Sequence, residues 1–246
     1  MRRTRLHLGV ALVPGSLQPL PEESAHYVRH VLRLAPGDAL QVFDGAGNEY
    51  AATLQASGKR GLAVLPEAAV AALPESPLAV HLGLGLARGE RMDWALQKAT
   101  ELGVATIAPL ALERCTARLA AGREDNRLRH WRQVVTSACE QCGRAVVPAL
   151  SDAMTLVDWL ERDAALPGIV LHTRTAQPLD AARRPAQLRV LIGPEGGLAP
   201  HELDAALRAG FSAVSLGPRV LRAETAPLAL LCVVQYLWGD MRDARP

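Results

Sequence analysis

At the Ala- and Pro-rich stretch over residues 66–77 the sequence changes its rhythm, and that change restricts the fold more than any other feature. Before it, β-like runs at residues 39–43, 49–54 and 61–65 are separated by Asp44-Gly45-Ala46-Gly47 and Ser57-Gly58-Lys59-Arg60, residues that punctuate hairpins. With an alternating run over residues 5–12 and a helical stretch over 21–34, they predict a small β-barrel of about seventy residues. After it, strand and helix alternate. Strand-like runs at 78–86, 105–110, 169–172, 188–192 and 213–216 are interleaved with helical patterns at 90–102, 125–141, 154–162, 200–208 and 224–238. The alternation predicts an α/β domain built on a mostly parallel sheet with helices on both faces. The Ala/Pro stretch reads as a linker between two domains, residues 1–70 and 75–246.

Parallel sheets bind ligands beyond the C-terminal ends of their strands, and two glycine-bearing segments fall there. The first is Gly193-Pro194-Glu195-Gly196-Gly197; the second runs Leu216-Gly217-Pro218-Arg219-Val220-Leu221-Arg222-Ala223-Glu224-Thr225. Glycine lets the main chain approach a flat ring and adopt φ > 0, so the pair suits a pocket floored by backbone for a nucleotide-like ligand. On the residues alone, an equal alternative is that the glycines make tight turns and that Glu195, Glu224 and Thr225 are helix N-terminal residues.

Several other chemistries lack their residues. Gly83-Leu84-Gly85-Leu86-Ala87-Arg88-Gly89 places Arg88 where a dinucleotide fingerprint needs its third glycine. There is no Gly-Lys-Ser/Thr phosphate loop, no His-Glu-x-x-His and no Gly-x-Ser-x-Gly elbow. Cys139 and Cys142 have the spacing of a metal or redox pair, but no second close pair completes a ligand set, and the pair sits late in a helical pattern. His26 and His30 are one helical turn apart without a third ligand nearby, so a solvated helix face is expected and no metal. No run of about eighteen apolar residues suggests a membrane span, and the basic start leads into an alternating run; a cytoplasmic location is expected. The net charge of +2 announces no polyanion partner for the chain as a whole. Lys59 and Lys98 are the only lysines among 27 basic residues, a bias that accompanies abundant Ala, Gly, Pro and Leu and reads as genomic composition. A reaction needing neither an enzyme nucleophile nor a metal fits these absences, and methyl transfer from a sulfonium donor is one.

Four strings in order along the chain resemble the RsmE family of 16S rRNA uracil-N3 methyltransferases. They are Gly89-Glu90-Arg91-Met92-Asp93-Trp94-Ala95-Leu96-Gln97-Lys98-Ala99-Thr100-Glu101-Leu102-Gly103; Glu140-Gln141-Cys142-Gly143-Arg144 with Val147-Pro148; Ile192-Gly193-Pro194-Glu195-Gly196-Gly197; and the stretch from Leu216 to Ala226. Arg29-His30-Val31-Leu32-Arg33-Leu34 and Phe43-Asp44-Gly45 resemble the family's N-terminal domain. The resemblance implies a PUA-like barrel followed by a SPOUT domain threaded as a trefoil knot, a homodimer, and 16S rRNA or the assembled small subunit as substrate. It also implies S-adenosylmethionine bound against Leu171 and His172, against Gly193, Pro194, Glu195, Gly196 and Gly197, and against Leu216, Gly217, Val220, Leu221, Arg222, Glu224 and Thr225.

Uracil N3 carries a proton that must leave before or during methylation, and the resulting imide anion spreads charge onto O2 and O4. Arg222 and Arg144, each inside a family string, are candidates to stabilise that charge. Glu140, with Glu101 and Glu224 behind it, is a candidate proton acceptor. For each of these an Arg–Glu pair that merely holds structure is an equal alternative. Arg2, Arg3 and Arg5, Arg29 and Arg33, Lys59 and Arg60, and Arg88 and Arg91 are candidates to contact RNA phosphates. A non-catalytic RNA-binding factor that keeps the barrel but not the pocket is the competing function; the intact glycine strings count against it.

Overall fold

The computed structural model describes residues 4–58, 61–116, 124–172, 179, 182 and 184–242. The chain forms two compact units, Met1–Glu75 with Cys139–Val147, and Ser76–Ala138 with Pro148–Pro246.

The first unit is a curled sheet in the order β1-β3-β4-β5-β2, with α1 (Glu22–His30) between its second and third strands in sequence. Its strands are β1 (Arg5–His7), β2 (Gln18–Pro19), β3 (Ala39–Phe43), β4 (Glu49–Ser57) and β5 (Gly61–Val70); β1 pairs parallel with β3 and the remaining pairs are antiparallel. Alternation along β3, β4 and β5 turns Leu40, Val42, Ala52, Leu54, Leu62 and Val64 into one core, onto which α1 lays Ala25 and Val28. Two expectations are corrected here. The first strand stops at His7 rather than reaching residue 12, and β5 continues through Pro66 to Val70, so the first five residues of the expected linker are strand. Pro66 has no N–H to donate, and it is accommodated opposite Ala52, where the register of β4 slips between Tyr50 and Ala52.

Residues 139–147 are bound into this unit by buried charge. Arg5 is 6% exposed: its Nε donates to Glu49 Oε1 at 2.7 Å and a second nitrogen to Oε2 at 3.0 Å, while its guanidinium lies 4.4 Å from the centroid of the Phe43 ring. It also donates to the carbonyls of Cys139 (2.6 Å) and Arg144 (3.1 Å). Arg5 is therefore a core residue and not part of a phosphate-binding face.

The second unit is a six-stranded sheet in the order β11-β9-β10-β6-β7-β8, in which every pairing is parallel. Its elements are β6 (Ala79–Gly85), α2 (Glu90–Glu101), β7 (Val104–Leu110), α3 (Glu124–Cys142, whose last turn belongs to the first unit), β8 (Ala149–Leu150), α4 (Leu156–Glu161), β9 (Gly168–Leu171), β10 (Gln187–Ile192), α5 (Pro200–Arg208), β11 (Phe211–Val214) and α6 (Thr225–Trp238). The strands read as continuous apolar runs because both faces are covered. β10 makes one exception with Arg189, which is 2% exposed. That guanidinium donates to the carbonyls of Leu160 (2.9 Å) and Arg162 (3.1 Å), where α4 ends, and lies 4.7 Å from the Phe211 ring centroid. α4 starts with a side-chain cap, Thr155 Oγ1 accepting from Asp158 N–H at 3.1 Å. α6 buries Leu230, Leu231 and Val234, and its Gln235 donates to Gly103 O (3.3 Å) and accepts from Ser76 Oγ (2.6 Å). Among the described residues no helix is long and apolar enough to cross a membrane.

Candidate active site

Three adjacent strands of the second unit end in register. Val214 of β11 pairs with Leu171 of β9, and Val170 pairs with Leu191 of β10, so the three strands finish at the same end of the sheet. His172 continues the row by donating its N–H to Val214 O at 2.9 Å. The residues that the resemblance assigns to the cofactor thus start from neighbouring strand ends, the place where a parallel sheet offers its ligand crevice.

The loop after β10 is built by close approach. A Cβ on Gly85, at the end of β6, would lie 2.6 Å from Pro194 N, so only glycine there lets the Gly193-Pro194 backbone settle against the sheet. Gly83 serves packing too, since a Cβ would come 2.7 Å from the ring of Trp159. The Gly-x-Gly pair that fails as a dinucleotide fingerprint is thereby accounted for. Gly197 closes the turn by donating to Pro194 O at 2.8 Å, with φ +69°. The missing side chain of Gly196 makes room for Arg114, whose Cβ would be 2.9 Å from an added methyl group, and Arg114 in turn donates to Gly196 O (3.2 Å) and Leu198 O (3.3 Å). At Gly197 and at Gly217 (φ +78°) an added Cβ would meet none of the described residues within 4 Å. Among the described residues these two positions, unlike Gly196, face open space.

Charges brace the loop from its flanks. Arg91 donates to Glu195 Oε1 at 3.1 Å, while Glu195 Oε2 is buried without a hydrogen-bond partner among the described residues. Glu202, 6% exposed, accepts from Ala199 N–H and from Glu113 N–H, both at 2.8 Å, tying the start of α5 to the segment after β7. Neither Arg114 nor Glu202 is among the residues expected from the sequence. Glu202 has a readable signal, an acidic residue at the third position of a helix opened by Pro200. Arg114 has none. The segment before α6 is the more exposed wall: Val220 is 82% exposed and Arg222 is exposed, while Arg222 O accepts the N–H groups of Thr225 and Ala226, both at 2.9 Å, to start the helix. Glu224 stands at the N-cap with no side-chain capping bond.

Arg144 and Glu140 belong to the first unit. Arg144 is 8% exposed and makes a two-pronged ion pair with Glu75, Nε to Oε1 at 3.2 Å and a shorter second bond to Oε2. Glu140 accepts from His7 N–H (3.0 Å) and Tyr27 O–H (3.3 Å), and burial pushes its carboxyl above the usual range against the pull of those two donors. Burial likewise pushes the Cys139 thiol up to about 12, far from the thiolate a redox pair needs. Glu101 is paired with Lys98 at 2.7 Å. Arg29, Arg33 and Arg88 are exposed, whereas Arg2, Arg3, Lys59 and Arg60 lie outside the described residues. A cavity of about 860 Å³ opens beside the ends of β6 and β7, lined by Leu86, Leu112, Trp131, Met154, Asp152 and Asp158 among others; none of its lining residues belongs to the three glycine-bearing or strand-end segments.

Sequence and structure comparisons agree on relatives. The RNA methyltransferase domain family matches residues 74–235, and the RNA methyltransferase PUA domain family matches residues 20–67. A Buchnera aphidicola protein, ribosomal RNA small subunit methyltransferase E, is 30% identical over 91% of this chain and 89% of its own. The fold is similar to that of a Legionella pneumophila methyltransferase in complex with S-adenosylmethionine (34% identity, TM-score 0.92, 98% of this chain and 100% of that one). It is similar also to a Neisseria gonorrhoeae ribosomal RNA small subunit methyltransferase E bound to S-adenosylmethionine (35% identity, TM-score 0.89, 98% and 100%).

Proposed function

Because this chain belongs to the ribosomal RNA small subunit methyltransferase E family, we infer that it is an S-adenosylmethionine-dependent enzyme that methylates N3 of a uridine in 16S rRNA. The observation that carries this reading is the end-to-end likeness to an enzyme of that name solved with the cofactor bound.

The residues present fit such a cofactor. The strand-end segments at Leu171 and His172, 193–197 and 216–225 offer backbone, and Gly197 and Gly217 leave open the volume that a side chain would fill. When bound, S-adenosylmethionine supplies an electrophilic methyl group on a positively charged sulfur. The chain's own part is to hold the base, take its proton and stabilise the charge left on O2 and O4. We assign charge stabilisation to Arg222, exposed next to the presumed cofactor wall, and the proton to Glu224, whose carboxylate makes no capping bond to its helix. Arg144 and Glu140 are assigned a holding role, because within the first unit Arg144 pairs with Glu75 and Glu140 accepts from His7 and Tyr27. Residues 1–70 form the PUA-like domain that meets rRNA and residues 75–246 a SPOUT domain threaded as a trefoil knot; the active particle is a cytoplasmic homodimer.

Incubation with methyl-labelled cofactor and small subunits lacking the modification tests the reading. Label should appear on N3 of a uridine. Label on a ribose 2′-oxygen would contradict the base assignment, and calorimetry showing no binding of S-adenosylmethionine would return the chain to the non-catalytic reading. A monomeric mass in sedimentation would remove the homodimer.

A further inference from the structure

The first helix ends in a way its own fold does not require. Among the described residues eleven glycines take positive φ, and only two other residues do, Asp163 (φ 49°) and Arg33 (φ 56°). Aspartate visits the left-handed region through local hydrogen bonds of its short side chain; arginine has no such means, and the conformation is strained for it. The reversal at residue 33 is structurally useful, for it lets Leu34 N–H reach back to Val28 O at 3.0 Å and sends Leu32 and Leu34 against the core. Glycine would perform it without the strain. What the fold asks of this position is a reversal, and what the chain supplies is a guanidinium.

Arg33 extends an exposed stripe. His26, Arg29 and His30 recur at the spacing of one helical face, opposite buried Ala25 and Val28, and the two imidazole rings lie with centroids 4.4 Å apart. The helix dipole accounts for Arg29 and His30 in the last turn of α1. It does not account for Arg33, which stands beyond the helix.

We propose that His26, Arg29, His30 and Arg33 form an rRNA-gripping face of the first unit, in which the arginines contact phosphates and the two imidazoles, tilted 41° to each other, offer a ring face to an unpaired base. The four side chains are all cationic or planar and none is acidic, which suits a polyanion bearing flat bases. The proposal rests on rRNA being the substrate.

Arg33→Gly separates the two explanations, because it removes strain and charge together. If Arg33 is kept for RNA, the free protein should melt about 2–4 °C higher, while the salt dependence of its affinity for 16S rRNA falls by about 0.7–0.9 in log–log slope. Arg33→Lys should restore the slope, and Arg29→Ala combined with Arg33→Gly should lower it by about twice as much. His26→Ala with His30→Ala should weaken binding with less change of slope. A lower melting temperature for Arg33→Gly, or an unaltered slope, would overturn the proposal. Loss of affinity confined to assembled subunits, with free 16S rRNA bound as by the wild type, would make the face a protein contact and overturn it as well. Wild-type methylation of unmodified subunits is measured alongside: no label removes the proposed function, whereas label with an unaltered slope removes only this face.

Discussion

The two units hold irregular segments in place with different shares of charge and backbone. In the first, charged side chains reach across the chain to distant partners: buried Arg5 on buried Glu49 and on the carbonyls of Cys139 and Arg144, buried Arg144 on Glu75, half-buried Glu140 on His7 and Tyr27. In the second, the loop after β10 is set mainly by backbone, with Gly85 admitting Pro194 and Gly197 closing the turn. The difference teaches where chemistry is affordable. A charged residue already saturated by structural partners is a poor catalyst, and a loop shaped by glycine leaves volume and backbone groups for a ligand.

The contrast breaks most sharply at Arg5. Arg5→Met leaves Glu49 buried and uncompensated and should cost about 3–5 kcal/mol, seen as a large fall in the denaturant midpoint. Arg5→Met with Glu49→Leu should recover most of that loss. If the single substitution is harmless, buried charge does not hold the first unit together. Next in size is Arg222→Ala in the second unit: methyl transfer should slow about 100-fold, about 2.7 kcal/mol, with the Kd for S-adenosylmethionine changed much less. Equal loss of both would make Arg222 a cofactor or structural residue. Gly85→Ala follows. It should cost about 1–3 kcal/mol of stability through overpacking against Pro194 and weaken S-adenosylmethionine binding, although residue 85 lies outside the assigned cofactor segments. Cofactor affinity equal to the wild type would detach the shape of the 193–197 loop from the site.

The same contrast governs what could be read in advance. The long elements were legible, because α2, α5 and α6 carry their own periodicity and the buried strands their apolar runs. β2 and β8, two residues each, were not, since pairing with β5 and β7 alone defines them. The glycine loops were legible because the reasons for glycine are local. Arg5 was misread as surface: its partner Glu49 lies 44 positions away, and nothing in a basic N-terminus announces a buried pair. Gly83 and Gly85 resembled the start of a dinucleotide fingerprint because sequence says nothing of the Trp159 ring or the Pro194 backbone that each accommodates. Charges whose partners are distant in the chain are where sequence reasoning loses its hold.

Glu140 gives the smallest and most discriminating test. Burial raises its carboxyl above the ordinary value of 4.5, while the His7 N–H and the Tyr27 O–H pull it back. The folded chain therefore keeps this proton to higher pH than the unfolded chain. Between pH 4.5 and the raised value the native state binds more protons, so its stability should fall as pH rises through that window; below it the contribution is fully present. Glu140→Gln removes the titration. Its melting temperature should lose that downward slope and equal or exceed the wild type at pH 7, while methyl transfer continues. A catalytic base would behave in the reverse way, with transfer lost and the slope of little consequence. If Glu140→Gln abolishes methylation without changing stability, the holding role assigned to Glu140 fails, and the first unit keeps at least this charge for chemistry.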